Sequence, residues 1–288
     1  MIDPGLTGRS VLVTGANNPQ GIGAAIGKAF ALLGCKVFLH YFREAGLVGD
    51  SPDVPSESTY RALQARSAEN VASQIKAAGG IAHCWEADLA ASSAISELID
   101  QAEGAIGPIE ILVNNAAHCS YDTFLPTGGA VYGECSSERA RPLTSDTHDV
   151  HFDVNARAPA LLMAEFARRH VTRAAEWGRI INVSTDASSA HPGAISYGAS
   201  KHALESYSRA AAWELARFGI TVNVIAPGPI QTGWLAPSLE ADVLTRIPLG
   251  RIGLPSDVAD VIVFLASEQA RWVTGQTLYV GGGNVMPL

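Results

Sequence analysis

One pattern constrains the fold of this chain more than any other: short apolar, β-branched runs alternate with longer stretches of helical periodicity from end to end. Val11-Leu12-Val13 has no polar position, so a strand there has to bury both faces, as strands do in a parallel sheet covered by helices on each side. Comparable runs at 36–39, 81–85, 109–113, 179–183, 221–225 and 277–280 complete a set of about seven strands. Between them, Ala- and Leu-rich stretches at 23–33, 62–78, 94–105, 145–173, 196–217 and 256–266 read as helices. Parallel neighbours must be joined by crossovers, and the crossover helices then cover both faces. The prediction is an α/β fold, a doubly wound parallel sheet in three layers, αβα.

Length and composition agree with one unit. A chain of 288 residues, 47% hydrophobic, can bury a sizeable core, and no Pro-, Ser- or Gly-rich linker interrupts its middle, so residues 1–288 are read as a single domain. Two polar stretches, near 42–60 and 118–144, are longer than simple connections. Both follow strand C-terminal ends, the edge at which open α/β sheets bind ligands. The net charge of -8 argues against a nucleic-acid or anionic-membrane partner. Cys35, Cys84, Cys119 and Cys135 are scattered without a Cys-x-x-Cys pair, which fits reduced thiols in a cytoplasmic protein. The segment Met1-Ile2-Asp3-Pro4-Gly5 has no basic region followed by an apolar run, and no apolar stretch reaches membrane-spanning length, so neither export nor insertion is expected. His118, His148, His151, His170, His191 and His202 show no metal-ligand spacing, and no metal is expected; His118 and His191 adjoin candidate site loops and are candidates for substrate contact.

Two local motifs carry chemistry. The first strand runs into Thr14-Gly15-Ala16-Asn17-Asn18-Pro19-Gln20-Gly21-Ile22-Gly23 directly before a helix. Glycines there allow a sharp turn and the close approach of backbone to a pyrophosphate seated on the helix N-terminus. Farther on, Tyr197 and Lys201 stand four residues apart and share one helical face. A cation one turn from a phenol favours phenolate and lowers the tyrosine pKa, which suits proton exchange with a substrate oxygen. Solvated helices also carry this spacing by chance, so the pair gains meaning only from its context.

That context resembles the classical short-chain dehydrogenase/reductase family over nearly the whole chain. Thr14-Gly15 with Gly21-Ile22-Gly23 resembles its cofactor turn, and Asn114-Asn115-Ala116-Ala117 its fourth-strand Asn-Asn-Ala-Gly, with Ala117 in place of the glycine. Asn155 matches the asparagine of the helix after the fourth strand. Tyr197 and Lys201 match the catalytic pair, and Pro227-Gly228-Pro229-Ile230-Gln231-Thr232 the segment that meets the nicotinamide and carboxamide. Five residues separate Gly15 from Gly21 where the family has three, an enlarged turn similar to that of bacterial oxoacyl-carrier-protein-reductase-like members.

The resemblance implies a Rossmann-type fold and an oxidoreductase acting on a small carbonyl or alcohol substrate. It assigns cofactor contacts to Gly15, Asn17, Gln20, Gly21, Ile22, Gly23, Asn115, Ala116, Ala117, Tyr197, Lys201, Pro227, Gly228, Ile230 and Thr232, and adenine contacts to Asp88 and Leu89, where Asp88 alternatively caps a helix. The second strand ends His40-Tyr41-Phe42-Arg43 with no acid before Glu44. A carboxylate there would repel a 2′-phosphate, so Arg43 with His40 points to NADP, with NAD as the alternative. Tyr197 is implied as general acid/base, Lys201 as the group that tunes it, and Asn155 as support for a water-linked relay. Either Ser184 or Thr185 orients the substrate oxygen: Ser184 has the usual interval to Tyr197, Thr185 the register counted along the strand. Residues near 231–248, with Trp234 and Leu235, would form a lid, and 118–144, with Tyr121, Phe124 and Tyr132, a substrate loop. A homotetramer is the assembly implied. A catalytically silent cofactor-sensing protein and a structural subunit are the other readings, and an intact Tyr197 and Lys201 argue against the sensor.

Overall fold

A computed structural model describes residues 3–43, 57–128 and 140–286. Tyr132, Cys135, Glu44 and much of both long polar stretches lie outside the described residues, as do Met1 and Ile2. The elements in order are β1 (Ser10–Val13), α1 (Ile22–Leu32), β2 (Lys36–Tyr41), α2 (Glu57–Gln64), α3 (Glu69–Ala77), β3 (Ile81–Glu86), α4 (Ala94–Ile106) and β4 (Ile111–Asn114). The short β5 (Asp122–Thr123) and β6 (Arg141–Pro142) follow, then α5 (Ser145–Phe152), α6 (Ala158–Thr172), β7 (Gly178–Val183), α7 (Ile195–Leu215), β8 (Ile220–Pro227), α8 (Pro237–Leu244), α9 (Pro255–Ala266) and β9 (Thr277–Val280). Seven strands form one parallel sheet in the order β3-β2-β1-β4-β7-β8-β9, a Rossmann-type α/β sheet.

The apolar first strand behaves as its sequence demands. Val11 and Val13 enter the core shared with α1, α3 and α9, while Leu12 enters the opposite core shared with α4, α6 and α7; all three are fully buried. Strand alternation thus feeds two hydrophobic layers from one run of three residues. The strand order reverses its direction of travel between β1 and β4, the switch point at whose C-terminal edge open α/β sheets leave a crevice for a ligand.

Three departures from the sequence expectation bear on the site. The helix expected over 145–173 is interrupted by a π-helical turn at Asp153–Arg157. The Ala158 amide reaches back to the Asp153 carbonyl, and Pro159, which has no amide hydrogen, follows at the start of α6. The helix expected over 62–78 is two helices, α2 and α3, separated by a break at residues 65–68. The proposed lid contains a helix, α8, that periodicity did not disclose; its Leu235, Val243 and Ile247 make a small core of their own.

Candidate active site

The phosphate turn is built so that only glycine fits. Gly15 has φ +71°, and a Cβ there would lie 2.6 Å from Ala116 Cα; a Cβ on Gly23 would lie 2.3 Å from the Gly15 carbonyl oxygen. Gly21 caps α1 without a side-chain hydrogen bond, and the first turn of α1 holds no acidic residue. Amide hydrogens and the positive end of the helix dipole are therefore available to an anion, and the cradle fits a dinucleotide pyrophosphate.

The extra residues of the enlarged turn act as braces. Asn18 Oδ1 accepts from the Gln20 amide at 2.9 Å, and Asn18 Nδ2 donates to the Thr232 carbonyl at 3.0 Å, tying the turn to the segment after β8. Asn17 Nδ2 donates to the Phe42 carbonyl at 3.3 Å and to the carbonyl of Gln64. Both asparagine side chains are buried, so Asn17 shapes the turn through its neighbours. Asn115 Nδ2 donates to the carbonyls of Thr14 and Gly15, each at 2.9 Å, and Thr14 Oγ1 accepts from the amides of Asn115 and Ala116, each at 3.0 Å. Ala117 is exposed at the crevice mouth.

His40 requires a correction. It is fully buried, its Nε2 lies 2.9 Å from the Ala87 carbonyl, and its Nδ1 accepts from the Gly15 amide at 3.4 Å. That pairing demands the neutral tautomer, and burial pulls its pKa down to about 4. An uncharged, enclosed imidazole cannot attract a 2′-phosphate; it fixes the turn from beneath. Tyr41 is buried beside it, and Leu89 belongs to the core rather than an open adenine face. Asp88 Oδ1 accepts from the Ala90 amide at 2.9 Å, a local turn ahead of α4. Arg43 forms a bidentate pair with Glu86, the last residue of β3.

The catalytic candidates gather where β4, β7 and α7 meet. Lys201 is buried, its Nζ donates to the Val183 carbonyl at 2.7 Å, and it lies 5.8 Å from the Tyr197 ring centroid. Burial pushes the Tyr197 phenol above its ordinary range and pulls Lys201 down to about 8. The sequence expectation that the cation dominates the phenol is therefore corrected: desolvation prevails, and Tyr197 carries its proton at neutral pH. The His191 ring stands edge-on to Tyr197 with centroids 5.9 Å apart. Asn155 lies in the π turn and is fully buried. Its Oδ1 accepts from the His118 amide and its Nδ2 donates to the His118 carbonyl, both at 2.8 Å, with a further bond to Ser200 Oγ at 3.0 Å.

Strand alternation separates the two hydroxyl candidates. Ser184 is buried and its Oγ donates to Glu205 Oε1 at 2.7 Å, so it faces α7 and is corrected as a substrate contact. Thr185 is partly exposed beyond the end of β7. Pro227, Gly228 and Thr232 border the same crevice, where a Cβ on Gly228 would meet Gly281 Cα at 2.7 Å. Ile230 is buried, accepts from Trp234 Nε1 through its carbonyl at 3.1 Å, and pairs with Gly253, while Leu235 is buried under α8. Leu235 is thus packing within the lid segment, and Trp234 is partly buried against it.

Three carboxylates that brace the candidate site escaped sequence reasoning. Asp122, on β5, is fully buried, and its Oδ1 accepts from the Ser196 amide at 3.0 Å, capping α7 one residue before Tyr197. Asp186 follows Thr185, accepts from Asn284 Nδ2 at 2.7 Å, and is raised in pKa by burial. Glu205, one turn beyond Lys201, holds Ser184. Their only sequence signal was proximity to motif residues. Of the remaining histidines, His151 accepts from the Ser120 amide at 3.1 Å and His170 meets the Phe218 carbonyl at 2.9 Å, both structural. Among the described residues no group of His, Cys, Asp and Glu could hold a metal ion, and no helix is long and apolar enough to cross a membrane.

A dinucleotide-type phosphate turn, a doubly wound sheet and a partly exposed Tyr197 over a buried Lys201 at one sheet edge define a Rossmann-type oxidoreductase scaffold. Residues 58–284 match the family described as Enoyl-(Acyl carrier protein) reductase. The chain is 31% identical to the uncharacterized oxidoreductase YjdA of Bacillus subtilis, over 94% of this chain and 95% of that protein. It is 33% identical to the 3-oxoacyl-[acyl-carrier-protein] reductase FabG of Rickettsia felis, over 99% of this chain and 100% of that protein. A crystal structure of a dehydrogenase/reductase from Sinorhizobium meliloti superposes with TM-score 0.76 at 30% identity, covering 99% of this chain and 98% of that one. The protein belongs to the short-chain dehydrogenase/reductase family of oxidoreductases and resembles its FabG-like members.

Proposed function

We propose that the protein is an NADP-dependent carbonyl reductase or alcohol dehydrogenase, with NAD as the second cofactor, working on a small carbonyl or alcohol substrate as a single-domain cytoplasmic homotetramer. The observation that carries the chemistry is the partly exposed Tyr197 one helical turn from the buried Lys201, with the partly exposed Thr185 at the same sheet edge as the glycine-only phosphate turn. Assembly, location and substrate class rest on the family resemblance, and the reductase names of its relatives favour carbonyl reduction.

Gly15, Gly21, Ile22 and Gly23 would hold the pyrophosphate, Arg43 a 2′-phosphate, and the segment from Pro227 to Thr232 the nicotinamide end. The bound nicotinamide supplies or accepts the hydride. Tyr197 gives its proton to the carbonyl oxygen of the substrate in reduction and takes it back in oxidation. Its partial burial raises the phenol pKa and keeps that proton in place until the oxygen becomes basic enough to receive it. Thr185 donates a hydrogen bond to the same oxygen and orients it. Lys201, with a pKa drawn towards neutrality, stabilises the phenolate left behind, and Asn155 holds the His118 turn that borders the substrate. The 118–128 segment carries no Lys or Arg, which argues against a phosphorylated substrate.

Titration of the purified chain with NADPH and NADH, followed by a panel of ketones and alcohols, tests this reading. Tyr197→Phe should lower turnover by about a hundredfold or more while cofactor affinity stays within about threefold. Undiminished turnover would remove Tyr197 from the mechanism, and cofactor binding without turnover on any substrate would favour a sensor.

A further inference from the structure

At the end of the second strand of a dinucleotide-binding sheet, acid and base select opposite ligands. A carboxylate accepts hydrogen bonds from the adenosine ribose hydroxyls and repels a 2′-phosphate, whereas an arginine attracts that phosphate. This chain supplies both groups, and they are bonded to each other. β2 and β3 run in parallel register with Tyr41 opposite Glu86, so the carboxylate missing from the end of β2 arrives from the neighbouring strand. Arg43 Nε lies 3.0 Å from each Glu86 oxygen, Nη2 lies 2.5 Å from Oε2, and the Arg43 amide donates to Oε1 at 3.1 Å. The corner borders the phosphate turn directly: Asn17 holds the Phe42 carbonyl, and the Ala16 amide donates to the His40 carbonyl at 3.0 Å. With side chains 53% and 29% exposed, Arg43 and Glu86 are both reachable by a ligand.

We infer that Glu86 is a specificity-determining residue: it serves as the acid of an NAD-type ribose site and holds back the preference for NADP that Arg43 alone would confer. The inference rests on the proposed reading of the chain as a dinucleotide-dependent oxidoreductase. The ion pair occupies the Nε–Nη2 edge of the guanidinium, so the Nη1 donors are not spent on Glu86 and Arg43 can meet a phosphate with the pair intact. A bound 2′-phosphate then lies one guanidinium width from a carboxylate, well inside the screening length of physiological salt. This exposed pair orders Arg43 only weakly, and glutamine keeps an oxygen for that ordering, so the carboxylate charge is what a Glu86→Gln change removes. For the unphosphorylated ribose the sign reverses, because the carboxylate remains as a hydrogen-bond acceptor.

The test needs no substrate. The full chain, Glu86→Gln and Arg43→Ala are titrated with NADPH and with NADH, following nicotinamide fluorescence, with thermal melts to confirm folding. Glutamine keeps an oxygen for Arg43 and removes the charge. Glu86→Gln should tighten NADPH binding by roughly five- to tenfold, a gain that shrinks as salt is raised, and weaken NADH binding by about twofold or more. Arg43→Ala should weaken NADPH and spare NADH. An NADPH/NADH affinity ratio unchanged within about twofold in Glu86→Gln overturns the inference and leaves the oxidoreductase reading standing; so does a ratio indifferent to Arg43→Ala. A folded wild-type chain that binds neither nucleotide overturns both.

Discussion

At the level of single residues, the division of labour between Ser184 and Thr185 follows from one peptide step. Adjacent side chains at a strand end point to opposite sides, and the bond from Ser184 to the buried Glu205 settles which side belongs to Ser184. On the proposed mechanism Thr185→Val should therefore lower kcat by at least about tenfold with little change in cofactor affinity, since it would remove the hydrogen bond proposed to the reacting oxygen. Ser184→Ala should act first on stability, costing about 1–3 kcal/mol by leaving Glu205 without its buried donor. Steady-state kinetics on both variants, beside urea unfolding, checks the assignment. The opposite pattern, with Ser184→Ala inactive and Thr185→Val active, would reverse it. None of this was legible from sequence, because an interval counted back from Tyr197 and a register counted forward along the strand gave different answers, and only the partner Glu205 separates them.

Among the elements, α7 is the one on which the site depends, and its position is set from three directions. Lys201 grips the Val183 carbonyl, Glu205 grips Ser184, and Asp122 reaches from β5 to cap the helix at Ser196. The β5–β6 ladder joins the two described arms of the proposed substrate loop, with the Leu143 amide donating to the Thr123 carbonyl at 2.9 Å, so this loop and the N-terminus of α7 form one mechanical unit. Asp122→Ala should cost about 1–3 kcal/mol by orphaning a buried amide, and should raise KM as the loop loosens. Asp122→Asn keeps an acceptor for Ser196 and should restore most of both; equal damage from the two variants would mean that charge, not the hydrogen bond, is what matters. Helical periodicity announced α7 almost to the residue but merged α5, the π turn and α6 into one helix. Apolar spacing is nearly blind to one inserted residue, whereas the π turn is what places Asn155 against His118.

For the molecule as a whole, the sheet imposes a pH dependence that no motif suggests. His40 is enclosed between β2 and the phosphate turn with a pKa near 4, below the ordinary 6.5. The unfolded chain takes up a proton as pH falls through 6.5, and the folded chain does not until about 4. Stability from this group is therefore complete above pH 6.5 and is lost between 6.5 and 4, a total of about 3 kcal/mol. Unfolding by urea at pH 7.5 and 5.0 should show a loss of about 2 kcal/mol attributable to His40, absent in His40→Gln; equal pH dependence in the two proteins would refute it.

The sequence by itself determined the seven-stranded parallel sheet, the glycine turn and the order of the Tyr197 and Lys201 motif, because these depend on local periodicity and on backbone conformations open to few residue types. The tertiary structure alone decided how the polar groups pair. It sends His40 into the interior, turns Ser184 towards Glu205 and brings Glu86 to Arg43 from a strand more than forty residues away. The charge and reach of such groups depend on burial and on partners distant in sequence, and spacing along a chain encodes neither.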